Sequence, residues 1–235
     1  MCGRYSNNKA IKEIEENLGF IISPRARNWK PSFNIAPGQE APVVTLENPR
    51  LIDLFHFGLV PFWAKDVKVG YKMINARAET LMERQSFKPL LTRGKRCLVF
   101  ADSFFEWKRE GKEKQPYRIK LNDRDLFAFA GLWSKWTDPE GHDYFSFAII
   151  TTEPNSKVKQ LHDRMPVVLS REEEGIWMDP ESKPEELISL LNPYPGDRVE
   201  MYKVSKELNK PSNNFPELLE PQGEFKAIGF HRVFS

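Results

Sequence analysis

The sequence has little of what would place it in several common protein classes. Its 235 residues include only two cysteines, Cys2 and Cys97. These are too few for a disulfide framework or a cysteine metal cluster, so we expect a reducing compartment, the cytoplasm. The four histidines and two cysteines show neither H-x-x-x-H nor C-x-x-C spacing, so we expect no metal and no cofactor. A P-loop, a dinucleotide-binding glycine pattern and a G-x-S-x-G motif are also missing.

Long apolar runs are missing as well. No segment approaches the roughly 18 apolar residues of a membrane span, and the first residues lack the apolar core of a secretory signal. With 40% hydrophobic and 12% aromatic residues, the chain can still bury a substantial core. We find no linker or break in composition, and so expect a soluble, monomeric protein with a single domain over residues 1–235.

Short segments rich in β-branched and aromatic residues dominate the chain and predict strands. Apolar spacing predicts one helix at residues 8–18, ended by Gly19. Capping-box patterns at Ser170 with Glu173 and at Ser182 with Glu185 predict two late helices. The predicted fold class is α+β, with a mainly antiparallel, curled, barrel-like sheet and peripheral helices. The predicted strands are residues 42–46, 51–57, 96–100, 104–108, 117–121, 126–132, 144–151, 165–169 and 199–204.

Charge is distributed unevenly although the net charge is only +2. Residues 60–96 hold nine basic and three acidic side chains, a local charge of +6. Residues 171–224 hold thirteen acidic and six basic side chains, a local charge of −7. This polarity suits a protein that presents one positive face to an anion, and ordinary solvated charge explains it equally well.

Cys2 is the first residue with candidate chemistry. If Met1 is removed, Cys2 carries an α-amine and a thiol on one residue. An α-amine with a pKa of about 7.7–8.0 is partly neutral near pH 7.4 and can attack an aldehyde to form an imine. The adjacent thiol can then close a five-membered thiazolidine. The alternative is an incidental terminal cysteine.

Two further segments hold polar groups suited to catalysis or anion binding. In residues 74–80, an extended backbone would put Asn75, Arg77 and Glu79 on one face, where an amide and a guanidinium can orient a substrate; the alternative is a polar strand edge. Glu106 lies in an aromatic strand, where burial would raise its pKa, unless it faces outward beside Lys108.

His162 and Trp63 complete the candidates. His162 is next to Asp163 and could move protons near neutral pH, or belong to a structural loop. Trp63 begins the basic stretch and could stack on a nucleic-acid base, or belong to the core. Together, a thiol, an amide, a carboxyl and an imidazole indicate a covalent enzyme with acid–base assistance.

At these positions the sequence closely resembles the SOS-response-associated peptidase family, the abasic-site processing proteins with an SRAP domain. The resemblance runs in order along nearly the whole chain. Its blocks are Cys2-Gly3-Arg4-Tyr5, Phe33-Asn34-Ile35-Ala36-Pro37-Gly38, Gly58-Leu59-Val60-Pro61-Phe62-Trp63, Ile74-Asn75-Ala76-Arg77, Phe105-Glu106-Trp107, Leu161-His162-Asp163-Arg164-Met165-Pro166, and Val204-Ser205 with Asn213.

The resemblance implies a protein that cross-links to abasic sites in single-stranded DNA and shields them. It implies Cys2 as the nucleophile, Asn75 as the group holding its amine and the sugar, Glu106 as the proton donor and acceptor, and His162 as an aid to imine formation and to β-elimination. It further implies phosphate contacts for Arg4, Arg77 and Arg164, a stacking or wedging role for Trp63, and a position near the site for Thr151.

Two other functions remain open at this point. One is a thiol peptidase that uses Cys2 with His162 and either Asn75 or Glu106, which includes removal of the chain's own Met1. The other is a non-catalytic reader of single-stranded or modified DNA.

Overall fold

Strands are the dominant regular secondary structure of the protein. The structure is a computed structural model that describes residues 2–111 and 113–223. The helices are α1 (Ile11–Leu18), α2 (Lys88–Thr92), α3 (Arg171–Trp177) and α4 (Pro184–Ser189). The strands are β1 (Tyr5–Asn7), β2 (Ile21–Ile22), β3 (Ser32–Ile35), β4 (Glu40–Thr45), β5 (Asn48–Phe57), β6 (Asn75–Arg77), β7 (Arg96–Ala101), β8 (Ser103–Glu110), β9 (Glu113–Leu121), β10 (Phe127–Thr137), β11 (Asp143–Thr152), β12 (Met165–Pro166), β13 (Val168–Leu169) and β14 (Val199–Lys203). The predicted α+β class with a curled, mainly antiparallel sheet is confirmed.

Five strands close into a barrel-like sheet in the order β11-β10-β7-β4-β5. Four of the five pairings are antiparallel, and the parallel pairing of β5 with β11 completes the ring. β5 covers only the first part of this edge of β11, at Ser146 and Phe147. The short strand β6 then pairs with Ile149, Ile150 and Thr151. This pairing fixes β6, and with it Asn75, beside the barrel.

Both faces of the barrel-like sheet are buried, because alternate side chains of its strands enter two different core clusters. Successive side chains of a strand point to opposite faces. On β7, Val99 lies in one core cluster while its neighbours Leu98 and Phe100 lie in another. The cluster with Val99 also holds Phe129, Phe147 and Cys2, and the other cluster packs against α1 and α3. Because both faces are buried, consecutive residues of these strands are apolar in the sequence.

A second sheet of five strands, in the order β14-β9-β8-β1-β3, carries the start of the chain. Tyr5 of β1 pairs with Phe104 of β8, and the backbone N–H of Phe105 donates to the carbonyl oxygen of Arg4 at 3.0 Å. The Tyr5 ring packs edge-on against Phe57 and Phe129 of the barrel. These contacts place Cys2 at the junction of the two sheets.

The helix ends show where capping patterns predicted correctly. α1 ends at Gly19, whose φ of 68° is the left-handed conformation that glycine adopts without strain. At α3 the Ser170 N–H donates to the Glu173 carboxylate at 2.7 Å, and the Ser170 hydroxyl accepts from the Glu173 N–H at 3.2 Å. Among the described residues, no helix is both long and apolar enough to cross a membrane.

The second predicted capping box is wrong. α4 begins at Pro184, with Lys183 as its N-cap residue. Proline suits the first helical position because its fixed φ matches the helix and it lacks an N–H that would go unused there. The Ser182 hydroxyl instead donates to the carbonyl oxygen of Ile176 at 2.8 Å. The predicted strand at 165–169 is also divided, into β12 and β13.

Candidate active site

Cys2 is fully buried beside Asn75. The Asn75 Nδ2 donates to the Cys2 carbonyl oxygen at 3.1 Å and lies 3.4 Å from the carbonyl oxygen of Ile149. The Asn75 Oδ1 is buried and accepts no hydrogen bond from the described residues. An unused buried acceptor next to Cys2 suits a polar hydrogen from an amine or a sugar hydroxyl.

Burial governs the ionisation of the Cys2 thiol. Desolvation, and then the nearby Glu106 charge, hold the pKa of Cys2 well above its ordinary value, and the Arg4 backbone N–H opposes this weakly. The sulfur is therefore a protonated thiol at neutral pH rather than a thiolate. This state differs from that of cysteine nucleophiles activated by a depressed pKa.

Glu106 is only 2% exposed, so the outward-facing alternative for this residue is wrong. Burial, reinforced by the negative charge of Asp163, raises the pKa of Glu106 to about 8. The predicted upward shift is confirmed. A carboxyl group with this pKa is mostly protonated at pH 7 and can both donate and accept a proton near neutrality.

His162 is partly buried, with 30% of its side chain exposed, and lines the same cleft as Glu106. The Arg164 backbone N–H donates to its Nδ1 at 3.0 Å, which requires a lone pair on that nitrogen. An Asp163 carboxylate oxygen lies 2.8 Å from the same Nδ1 and favours a proton there. These two contacts favour different tautomers of the neutral ring. Burial lowers the pKa of His162, which favours the neutral form.

Arg4 forms one wall of this cleft. Its Nη1 donates to Asn34 Oδ1 at 2.7 Å and to the carbonyl oxygen of Leu208 at 2.9 Å. Its guanidinium lies 5.8 Å from the centre of the Trp107 ring, and the Trp107 indole donates to Asn209 at 2.6 Å. The Asn34 Nδ2 binds the carbonyl oxygens of Leu208, Lys210 and Asn213. These bonds fix the wall in place.

The remaining candidates lie around β6 and on the loop before it. Arg77 is exposed and pairs in register with Thr151, which is 1% exposed. The Arg164 guanidinium donates to the Thr151 carbonyl oxygen at 2.6 Å and forms a bidentate ion pair with Glu79 at 2.8 and 2.9 Å. Asn75, Arg77, Thr151 and Arg164 thus lie on neighbouring backbone segments.

Trp63 is 57% exposed and Phe62 is 73% exposed, so a core position for Trp63 is excluded. Both lie on the loop between β5 and β6. The neck of this loop is closed by the Leu59 N–H, which donates to the Met73 carbonyl oxygen at 3.1 Å, and by tight packing of Gly58 on Gly70. A Cβ atom at Gly58 would lie 2.6 Å from the Gly70 carbonyl oxygen, which explains glycine at this position.

The basic segment 60–96 does not form a single positive face. Arg96 is buried, and its guanidinium donates to the carbonyl oxygens of Trp177 and Asp179, both at 2.7 Å. Lys95 pairs with Glu47 and lies 4.1 Å from the centre of the Trp133 ring. These two cations stabilise the fold instead of facing an anion.

Sequence reasoning missed part of the cleft lining. The cleft has a volume of about 600 Å³ and is lined by Arg4, Glu106, Trp107, Arg109, Lys114, His162 and Asn209. Arg109 and Lys114 pair across the β8–β9 hairpin. Recognising Gly111, with a φ of 66°, as the hairpin turn would have placed these two cations opposite each other beyond Glu106.

Fold and site together define a protein with a buried cysteine and an acid–base cleft at the junction of two sheets. The model of the family described as SOS response associated peptidase (SRAP) matches residues 1–211. The chain is 48% identical over 225 residues to the abasic site processing protein YoqW of Bacillus subtilis, covering 94% of this chain and 99% of YoqW. It is 32% identical over 270 residues to the abasic site processing protein HMCES of Rattus norvegicus, covering 94% of this chain and 76% of HMCES.

A solved structure agrees with these matches. The crystal structure of a protein from Bacteroides thetaiotaomicron is 28% identical, with a TM-score of 0.85, and covers 94% of this chain and 99% of that chain. The chain belongs to the SOS response associated peptidase (SRAP) family.

Proposed function

We propose that this protein processes abasic sites by cross-linking to them in single-stranded DNA, through a thiazolidine formed by Cys2. The observation that carries the proposal is the buried Cys2–Asn75 contact next to a carboxyl group with a pKa of about 8. The relatives named as abasic site processing proteins support the same substrate.

The first step required is removal of Met1, which lies outside the described residues. While Met1 is attached, the Cys2 nitrogen belongs to a peptide bond and cannot attack a carbonyl. We propose that the protein removes Met1 itself, by hydrolysis of the peptide bond between Met1 and Cys2. The free α-amine then has an ordinary pKa of about 7.7–8.0 and is partly neutral at physiological pH.

The cross-linking reaction then joins the amine and the thiol of Cys2 to the sugar aldehyde as a thiazolidine, with release of one water. Protonated Glu106 donates to the sugar ring oxygen while the C1′ hydroxyl proton passes to His162, which opens the deoxyribose and exposes its aldehyde. The Cys2 amine attacks the aldehyde carbon, and His162 returns that proton to the carbinolamine hydroxyl, so that loss of water gives a protonated imine. The thiol then adds to the imine carbon and its proton passes to the Glu106 carboxylate, which leaves a neutral thiazolidine nitrogen and restores the acid for reversal of the cross-link. The amine attacks first because the thiol is protonated.

Asn75, His162 and the cations have supporting roles. Asn75 Oδ1 accepts a hydrogen bond from the amine. Neutral His162 accepts the C1′ hydroxyl proton during ring opening and donates it to the carbinolamine hydroxyl as water leaves. His162 can also withdraw a sugar proton and promote β-elimination, a lyase side reaction. Arg4, Arg77 and Arg164 bind phosphates, Thr151 positions Arg164, and Trp63 stacks or wedges where the strand bends.

The test is a cross-linking assay with single-stranded DNA whose uracil has been removed by a glycosylase. Wild-type protein should give a shifted band that survives denaturation, and intact mass should show loss of Met1 and gain of the DNA minus one water. Cys2→Ala should give no such band. Cys97→Ala, which removes the other buried thiol, should still cross-link.

The same assay separates the alternatives. Equal cross-linking by Cys2→Ala and wild type would contradict the thiazolidine mechanism. Binding that is released completely by denaturant would indicate a reader of DNA. Turnover of added peptides that is lost on thiol alkylation would indicate a thiol peptidase.

A further inference from the structure

The cleft at Glu106 extends along the β8–β9 hairpin to a pair of cations that the proposed chemistry does not use. Arg109 and Lys114 both line the cleft and are exposed. Glu106 and Arg109 are three residues apart on β8. A strand rises about 3.3 Å per residue, so the backbone of Arg109 lies roughly 10 Å along β8 from that of Glu106.

In this pair two positive charges lie directly opposite each other. Arg109 and Lys114 are cross-strand partners in the β8–β9 register. Like charges in this arrangement destabilise an antiparallel pair. An anion bound between them would remove that repulsion.

Nearby carboxylates do not neutralise the pair. Within residues 2–111 and 113–223, neither Arg109 nor Lys114 forms an ion pair, whereas Glu113 on the same hairpin is bound by Lys206. At the other end of β9, Lys120 is paired with Glu200 at 3.0 Å. The two cleft cations are therefore available to an external anion.

The wall between the acid and the cations is held rigidly. Trp107 is fixed by its bond to Asn209, and the Asn209 Nδ2 lies 3.4 Å from the Lys114 carbonyl oxygen. A ligand that enters at Glu106 and His162 therefore meets a fixed surface leading to the cation pair. A nucleic-acid strand has the required chemistry, because its phosphates recur at regular intervals on both sides of any one sugar.

We propose that Arg109 and Lys114 form a phosphate-binding site for the DNA strand on one side of the abasic sugar held at Glu106. This inference rests on the proposed function, which places the abasic sugar in the cleft. The site binds the backbone without reading sequence, because its two contacts are to phosphates.

The experiment measures binding separately from the covalent step. The probe is a fluorescent single-stranded oligonucleotide with a central tetrahydrofuran abasic analogue, which has no aldehyde. Its affinity for wild type and for the double variant Arg109→Gln/Lys114→Gln is measured by anisotropy over a series of salt concentrations. Each phosphate contact contributes about 0.7 to the slope of log K against log salt for single strands, so loss of two contacts should lower the slope by about 1.4. If the affinities of the two proteins converge at about 1 M salt, this slope difference corresponds to roughly 25-fold weaker binding at about 0.1 M salt.

The matched control removes two positive charges from the same two strands but away from the cleft. Lys108 is the neighbour of Arg109 on β8, Lys120 lies on β9, and neither lines the cleft. Lys108→Gln/Lys120→Gln should keep the wild-type slope. Equal slopes for wild type and the Arg109/Lys114 variant, or equal losses in both double variants, would overturn the inference. Arg109→Lys, which keeps the charge, should retain most of the affinity.

Two further arms locate the site and separate it from the proposed function. Two shorter oligonucleotides carry nucleotides on only the 5′ or only the 3′ side of the analogue. The double variant should bind one of them more weakly than wild type does and the other equally well. Equal losses of affinity for both would contradict a site on one side of the sugar. If wild type cross-links to aldehyde-bearing DNA but the slopes are equal, only this inference fails. If wild type does not cross-link but the slope difference remains, the proposed chemistry fails and the phosphate site stands.

Discussion

Glu106→Gln should make the protein more stable while it impairs the cross-link. A buried carboxyl group with a pKa of about 8 resists ionisation in the folded state, whereas in the unfolded chain it ionises near its ordinary value of 4.5. Between these two values the folded protein holds one more proton than the unfolded chain. The free energy of unfolding therefore falls as pH rises through this window.

The size of this effect follows from the two pKa values. Each pH unit in the window costs about 1.4 kcal/mol. From 4.5 to pH 7 the cost reaches about 3 kcal/mol, and above pH 8 it levels off at about 5 kcal/mol. Glutamine has a similar shape and does not ionise, so the variant should gain about 3 kcal/mol at pH 7. For a chain of this size, that corresponds to a melting temperature higher by about 6 to 12 °C.

The assay is urea unfolding of wild type and Glu106→Gln from about pH 5 to pH 9, with stability differences taken at each pH. The difference should be small at pH 5 and grow in favour of the variant as pH rises. Glu113→Gln is a control of opposite sign, because Lys206 holds the pKa of Glu113 below its ordinary value. Its removal should cost stability at neutral pH and matter less in acid. A Glu106→Gln difference that does not change with pH would refute the reasoning.

Two other predictions follow from packing and from charge. Gly131→Ala would put a Cβ atom 2.7 Å from the Cys97 sulfur and 2.9 Å from a Val99 methyl group. The free energy of unfolding, measured in urea, should therefore fall by about 1–3 kcal/mol. Gly175→Ala in α3, with open space around it, should leave the free energy of unfolding undiminished. Asp163→Asn removes a charge that raises the pKa of both His162 and Glu106, so both limbs of the pH–rate profile for cross-linking should move to lower pH; an unchanged profile would contradict this.

The sequence predicted the strands of the barrel well because those strands are apolar along their whole length. The runs around Phe129 and Phe147 have no stable placement outside a core. Local pattern left the burial of Glu106 open, because Lys108 two residues later suggested an outward-facing position. Its neighbours Phe104 and Phe105 are fully buried on opposite faces of β8, and Glu106 directly follows them in the sequence and is buried as well.

Features that depend on contacts between distant residues could not be predicted from local pattern. β6 has only three residues, and its position depends on a parallel pairing with β11 more than seventy residues later. Arg96 resembled the other cations of its segment, yet it is buried because Trp177 and Asp179 supply carbonyl acceptors. The predicted strands at 104–108 and 117–121 stopped short of Arg109 and Lys114, because charged residues have low β-propensity and local pattern does not reveal the register of the hairpin.

In the proposed mechanism, burial of the site allows a carboxyl group and a thiol to act in the same reaction. In water, glutamate would be ionised at pH 7 and unable to protonate the sugar, whereas here the same desolvation that disfavours its charge also keeps the Cys2 sulfur protonated. In the proposed mechanism the sulfur becomes nucleophilic when a base is next to it, and the main source of that base at pH 7 is Glu106 after it has given its proton to the sugar. In that mechanism the acid controls when the thiol reacts, and ring opening precedes ring closure. This order requires that Glu106→Gln stall the reaction before the thiazolidine, with any adduct held as an imine that hydrolyses unless a reductant traps it.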